Sequence, residues 1–143
     1  MPPQPPNDDG LYNATVLDHF RNPRNAGEMA DANAVGEDRN PVCGDHMRLM
    51  LRIDDGVIAR ATFLTRGCGA AIATSSVATE LLIGRPLHDA RGLTRQHFVD
   101  AVGGLPKSKV HCSVLAAAAL QKALAVYDTS NPDTISPHTA SEA

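Results

Sequence analysis

Three cysteines, Cys43, Cys68 and Cys112, stand far apart in the chain, and each lies where a sulfur would be accessible. Cys43 sits in Asn40-Pro-Val-Cys-Gly-Asp45, which reads as a turn. Cys68 sits in Arg66-Gly-Cys-Gly69, wrapped in glycine ahead of a helical run, and Cys112 in Lys109-Val-His-Cys-Ser113, at another helix start. Thiolates select soft or borderline metals: zinc, copper(I) and iron–sulfur clusters. Asp45, two places after the first cysteine, and His111, beside the third, offer an oxygen or a nitrogen for a fourth position. Closed structural zinc sites more often use paired C-x-x-C knuckles, and the sequence has none. An incomplete, mixed donor set suits a site that loads and unloads. Gly44, Gly67 and Gly69 remove bulk, so that a metal, a cluster or a partner's sulfur can approach. Taken singly, these residues have plainer readings: a cysteine as apolar filler, His111 as a local hydrogen-bonding group, Asp45 as turn chemistry.

The composition narrows the function classes. The chain has 143 residues, enough for one domain with a real core. It is 43% hydrophobic and 20% charged, with a formal net charge of −3, which argues against an electrostatic nucleic-acid binder. With no Trp, three Phe and two Tyr it lacks a stacking platform for single strands. No uninterrupted apolar run approaches the roughly 20 residues that span a bilayer, and the Pro-rich N-terminus has no basic or apolar leader pattern. A cytoplasmic protein is expected, with neither nucleic acid nor membrane as a partner. An odd cysteine count in a reducing compartment favours metal or thiol chemistry over disulfides.

The elements that must position the cysteines follow from pattern. Residues 1–10 and 128–143 are polar and Pro-containing and read as disordered tails, leaving 11–127 as the ordered domain. Leu11 to Arg21 carries Val16, Leu17 and Phe20 at helical spacing and stops before Asn22-Pro23. Ala32 to Glu37 suits a short edge strand. Met47, Leu49, Leu51 and Ile53 alternate along a second strand, Asp54-Asp55-Gly56 signals a hairpin, and Val57, Ala59, Ala61 and Phe63 are expected on one face of the return strand. Helices are predicted over Ala70 to Ile83 before Gly84, from Thr94 to Val102 before Gly103-Gly104, and in a last long run with Ser113, Ala117, Leu120, Leu124 and Tyr127 as its stripe. The fold class is therefore α+β, a small antiparallel β-sheet of about three strands with helices packed on one face. In an antiparallel hairpin, one strand starts where its partner ends, which puts Cys43 and Cys68 at the same end of the sheet. Cys112 joins them if the last helix begins there. Helix N-termini favour thiolate at both Cys68 and Cys112. His19, His46, His88, His97 and His138 show no ligand spacing and read as surface. His111 and Cys112, adjacent at a helix start, are expected to diverge, which counts against a cysteine hydrolase.

Several segments together resemble the NifU/IscU family of iron–sulfur cluster assembly scaffolds: Tyr12 to Gly27, Asp31 to Gly36, Asn40-Pro-Val-Cys-Gly-Asp45, Gly67-Cys-Gly-Ala-Ala-Ile-Ala-Thr-Ser-Ser76 and Lys109-Val-His-Cys-Ser113. The match spans about residues 11–127, in family order. The resemblance implies a non-enzymatic scaffold whose Cys43, Cys68 and Cys112 hold a nascent cluster. Asp45 and His111 are then alternative fourth ligands, with Asp45 also setting how readily the cluster leaves. It further implies sulfur delivered as persulfide by a cysteine desulfurase, with Cys112 as main acceptor. Iron and electrons, with a ferredoxin or frataxin-like donor, would complete a transient [2Fe–2S] cluster that passes to apo iron–sulfur proteins. Zinc can occupy the empty site in such proteins.

Three points bear on the branch it resembles, and together they set the chain nearer the NifU/IscU scaffolds than the zinc-dependent sulfur-transfer branch. Leu105-Pro-Lys-Ser-Lys109 replaces the Leu-Pro-Pro-Val-Lys read by an Hsp70-type chaperone, which weakens the case for that partner. A polar tail stands where nitrogen-fixation scaffolds continue into further cluster domains. No extra segment separates Cys68 from Cys112, and His111 is present, unlike the SufU branch. The alternative function is that branch's activity, a zinc-dependent sulfurtransferase that accepts persulfide and stimulates a desulfurase; a plain structural zinc domain is a third reading.

Overall fold

The structure, a computed structural model, describes residues 12–41 and 44–130. The expected tail 1–10, residues 131–143 of the expected C-terminal tail, and Cys43 lie outside the described residues. Helix α1 (Ala14–Arg21) precedes three strands, β1 (Ala34–Arg39), β2 (His46–Asp54) and β3 (Val57–Arg66). Four helices follow: α2 (Gly69–Leu82), α3 (Leu87–Ala90), α4 (Arg95–Ala101) and α5 (His111–Ser130), the last introduced by a 3-10 turn over Lys107–Lys109. The strands form one antiparallel sheet in the order β1-β2-β3, as the alternation in the sequence requires.

The β2–β3 connection is a two-residue turn with Asp55 at φ 53° and Gly56 at φ 75°. Both lie in the left-handed region that such a hairpin needs and that Asp-Gly tolerates. Met47, Leu49, Leu51 and Ile53 all enter the main core, where they meet Phe63, Leu82, Phe98, Leu120 and Leu124. One expectation for β3 fails. Ile58 is buried, whereas Ala59 is exposed and Val57 only half-buried. The register runs Arg52 opposite Arg60 and then Ile53 opposite Ile58, so Ala59 is an extra residue that flips the face of the strand's first turn.

Helices α2 and α5 pack on the core face of the sheet, α5 across β1 and β2 and α2 along β3, with α1 laid on α2. The buried stripe of α5 is Cys112, Leu115, Ala116, Ala119, Leu120, Ala123, Leu124 and Tyr127; Ala117 is only half-buried. Small residues lead this stripe because β1 approaches unusually closely. A Cβ on Gly36 would stand 2.1 Å from the carbonyl oxygen of Ala119 and 2.4 Å from the nitrogen of Ala123. Helix α5 runs to Ser130, three residues beyond the boundary expected at 127. With the 3-10 turn it is long and apolar enough to cross a membrane, but half of it is buried in the fold, as befits a core helix. Short helix α3, which no pattern announced, buries only Leu87 and Ala90.

The opposite face of the sheet is crossed by the chain before β1. Gly27 N–H donates to the Phe63 carbonyl and Phe63 N–H to that of Asn25, pairing this segment with the free edge of β3. At the other edge, Asn33 N–H donates to the Leu51 carbonyl at the start of β1. Residues 28–33 thus span the sheet, with Asp31 bonded to Arg60 and Glu28 4.0 Å from Arg48.

His19 is buried rather than on the surface. Its Nδ1 lies 2.8 Å from the Ser76 hydroxyl and its Nε2 3.5 Å from Glu80. That hydroxyl also accepts from the Arg24 backbone N–H, which ties α1 and the following loop to α2. Burial, with Arg24 nearby, pushes the His19 pKa below its usual 6.5 despite Glu80 and Asp18.

Gly36→Ala is expected to destabilise the fold by about 3 kcal/mol, the upper part of the overpacking range, because backbone rather than a pliable side chain blocks the methyl. Urea unfolding measures this, and a loss under about 1 kcal/mol would mean that α5 slides off β1 easily. The unfolded chain protonates His19 from pH 6.5 downward while the folded chain resists, so His19 makes stability fall as the pH drops below 6.5. Unfolding midpoints between pH 7 and 5.5 should therefore slope less in His19→Asn than in the parent.

Candidate metal and thiol site

The register of the sheet builds the site. His46 opens β2 opposite Arg66, which closes β3, so Asp45 and Gly67 leave the sheet side by side. Asn40 N–H donates to the Asp45 carbonyl, and Gly44, at φ +80°, donates its N–H to that of Asn40. These bonds fasten both described ends of the β1–β2 connection. Asp45 is buried, and its carboxylate fills the space where Gly67 has no side chain: a Cβ there would lie 2.7 Å from the Asp45 Cγ. Gly67 backbone is not in the left-handed region, so it is the carboxylate that demands glycine. The sequence reading gave that space to an approaching ligand; the structure gives it to Asp45.

Cys68 is the N-cap of α2, and Cys112 is the second residue of α5. Two helix N-termini therefore converge with their partial positive charges on one spot. The Cys68 sulfur lies 3.8 Å from that of Cys112 and 3.7 Å from Asp45 Oδ2. His111 Nε2 lies 3.6 Å from the same Asp45 oxygen. Donor atoms of Asp45, His111 and Cys112 all fall within 4.8 Å of one another, a grouping able to hold a metal ion. His111 and Cys112 do not diverge as expected: the first turn of α5 brings both toward Asp45. Of the five residues singled out by sequence, four come together, and Cys43 lies outside the described residues.

A hydrogen bond joins the two sulfurs. The hydrogen bond from Cys112 lowers the Cys68 pKa to about 6, helped by the Ala71 backbone N–H and the Lys109 charge and opposed by burial and by Asp45. Cys112 is pushed far above the ordinary thiol range by that same bond, by burial and by the neighbouring Cys68 charge. Cys68 is thus the half-exposed thiolate and Cys112, at 2% exposure, the buried thiol. Lys109 was not singled out from the sequence; its signal is a cation three residues ahead of Cys112, just before the helix start. Of the remaining histidines, His46 is half-buried and 3.2 Å from Glu37, and His88 and His97 are exposed. His97 Nδ1 accepts from the Thr94 N–H as a helix cap, and His138 is outside the described residues.

Comparison with known proteins shows the family to which the chain belongs. The profile of the NifU-like N terminal domain matches residues 11–133. The chain is 49% identical over 121 residues to the iron–sulfur cluster assembly scaffold protein IscU 1 of Archaeoglobus fulgidus, covering 85% of this chain and 79% of that protein. It is 45% identical over 118 residues to the corresponding IscU of Aquifex aeolicus, covering 81% of this chain and 75% of that one. Against the nitrogen fixation protein NifU of Azotobacter chroococcum it is 44% identical over 118 residues, 81% of this chain but only 38% of the relative. Among solved structures, an iron–sulfur cluster assembly scaffold described for the SUF system of Fervidobacterium islandicum superposes with a TM-score of 0.66 at 22% identity, over 80% of this chain and 97% of that one. The N-terminal part of a NifU-like protein from Brucella abortus gives 0.54 at 22% identity, over 87% of both chains. At these identities the solved structures speak to the fold.

Iodoacetamide at neutral pH is expected to modify Cys68 before Cys112 in the metal-free protein, with a pH-rate midpoint for Cys68 near 6. Cys112→Ala removes the hydrogen bond and should move that midpoint up. Mass-spectrometric mapping of the alkylated sites reads both effects, and faster labelling of Cys112 would overturn the assignment.

Proposed function

Because the chain belongs to the NifU-like N-terminal domain family, we propose that it is a scaffold on which iron–sulfur clusters are assembled and from which they pass to apo-proteins. One observation carries this reading most: two cysteines, a carboxylate and an imidazole from three distant segments meet at one end of the sheet, around two helix N-termini. The relatives named as iron–sulfur cluster assembly scaffolds support it.

A cysteine desulfurase supplies sulfur as a persulfide, and Cys112 is the main acceptor. As the Cys112 sulfur attacks the terminal sulfur of the donor persulfide, its proton passes to the Cys68 thiolate 3.8 Å away. A sulfur–sulfur bond forms on Cys112, the donor's breaks, and the donor cysteine leaves as thiolate. The number of protons and the total charge are unchanged. Reduction of the transferred sulfur to sulfide draws electrons from ferrous iron and from a ferredoxin-type donor. Cys43, Cys68 and Cys112 then hold a labile [2Fe–2S] cluster, with Asp45 or His111 as fourth ligand. The same mixed sulfur, nitrogen and oxygen set suits zinc when the site carries no cluster. Among the partners are the desulfurase, apo iron–sulfur proteins and a ferredoxin or frataxin-like donor. The cytoplasm, where thiols stay reduced, is the working compartment.

Asp45 tunes release. Its carboxylate is a hard donor among soft ones, and its charge disfavours the thiolate form of both cysteines. Asp45→Ala is expected to keep the cluster longer and slow its transfer by about tenfold, the scale on which changes around a metal commonly act. The assay is anaerobic reconstitution with ferrous iron, cysteine and a desulfurase, visible absorption, then addition of an apo-ferredoxin. Transfer from Asp45→Ala as fast as from the parent would remove that role. No cluster band on the parent, with desulfurase turnover raised by the zinc-loaded protein, would replace the scaffold with a zinc-dependent sulfurtransferase.

A further inference from the structure

The face of the sheet turned away from the core is divided into two ends. Along β2 the side chains of His46, Arg48, Met50 and Arg52 alternate with the core residues and so share this outer face. Near the hairpin, the chain neutralises its own cations: Arg60 bonds to the Asp31 carboxylate and Arg52 to that of Asp54, and Arg52 also donates to the Asp31 main-chain carbonyl; nearer the middle of the sheet, Glu28 stands 4.0 Å from Arg48. An acidic segment of the protein itself thus lies across that half of the sheet.

At the thiol end this cover stops among the described residues: Glu28 reaches only as far as Arg48. The register sets Arg39 of β1, His46 of β2 and Arg66 of β3 in one row across all three strands. Behind them stand Arg48 and Leu64, the latter 38% exposed. Together with Gly44 these side chains line an open groove of about 550 Å³. Within it, Glu37 is held 3.2 Å from His46. Arg39 and Arg66 are exposed, and neither meets a carboxylate among the described residues. Two guanidinium groups without a carboxylate partner among the described residues, one on each side of His46, stand out in a chain of net charge −3. The row also adjoins the candidate site: Arg66 is two residues from Cys68, and Gly44 and His46 flank Asp45.

We propose that this strip is the docking surface for an acidic segment of the apo-protein that receives the cluster, laid across the sheet as residues 28–33 are laid across its other half. The identity of that partner as a recipient rests on the scaffold function; the acidic chemistry of the segment rests on the strip itself. Strands lie about 4.8 Å apart, so Arg39 and Arg66, separated by β2, are matched by carboxylates about 10 Å apart, the reach of three residues of extended chain. Leu64, beside Arg66 on β3 and opposite Arg48, supplies an apolar contact behind that row. Docking there sets the recipient's ligands beside Cys68 and Asp45, and guanidinium–carboxylate pairing fixes its orientation.

The probe is an acidic apo-ferredoxin titrated calorimetrically into the full chain at several sodium chloride concentrations. Binding by the parent is expected to weaken as salt rises. Arg39→Glu/Arg66→Glu should weaken it at least about tenfold at low salt and flatten the salt dependence, while Arg95→Glu, at the exposed first position of α4, changes it less than about twofold. Should the double variant unfold, Arg39→Gln/Arg66→Gln is expected to show the same loss in smaller measure. Salt-insensitive or absent binding by the parent, equal losses in Arg95→Glu, or full affinity in the double variant each overturn the proposal. So does a single-stranded oligonucleotide that binds the strip more tightly than the ferredoxin. Cluster assembly on parent and variant is read separately: a parent that binds the ferredoxin but never builds a cluster overturns the scaffold function and leaves the acidic docking surface standing.

Discussion

The pairing of β2 with β3 is the constraint on which the rest depends. With His46 opposite Arg66, the core side chains of both strands share one face, and Asp45 and Gly67 leave the sheet as neighbours. A slip of one residue would turn Met47, Leu49 and Leu51 to the wrong side and would carry Asp45 away from Cys68. Core and site are thus enforced by one register. The burial of hydrophobic surface, the dominant stabilising term in folding, supplies the force that keeps a polar cluster in place.

The second requirement is that α5 begin at the same end. The contact between Gly36 and the backbone at Ala119 and Ala123 seats the helix on β1, and the Ala-rich stripe permits so close an approach. The main core lies along the sheet away from the thiols, whereas Cys112 belongs to the smaller cluster shared by α1 and α2. Stability therefore rests largely on contacts that do not involve the sulfurs. That separation suits a site whose occupant comes and goes, because emptying it leaves the main core intact.

Charge is distributed to the same effect. Two helix N-termini and Lys109 favour a thiolate, Asp45 opposes it, and a hydrogen bond joins Cys68 and Cys112. The result is a half-exposed thiolate beside a buried thiol, close enough to take that thiol's proton. On the outer face, self-neutralisation by Asp31 and Glu28 ends where the site begins, leaving Arg39 and Arg66 beside it. The thiol end of the sheet thus carries two exposed arginines on its outer face.

Local pattern determined much of this on its own. Alternation defined β2, Asp55-Gly56 the hairpin, Gly84 and Gly103-Gly104 the ends of α2 and α4, and antiparallel geometry alone brought the Asp45 and Cys68 segments to one end. The contexts of Cys43, Asp45, Cys68, His111 and Cys112 singled out a candidate donor set, of which Asp45, Cys68, His111 and Cys112 converge and Cys43 lies outside the described residues. Tertiary structure decided what depends on a distant neighbour. The bulge at Ala59 reversed a face that alternation could not correct, because an extra residue is visible only against its partner strand. His19 was buried by Ser76, 57 residues away, and Gly67 was reserved for a carboxylate 22 positions earlier rather than for a ligand. Which sulfur keeps the proton was settled only when two helix starts met. Periodicity encodes the face an element shows, but a pKa, a close approach or a cavity belongs to the pair of surfaces that packing brings together.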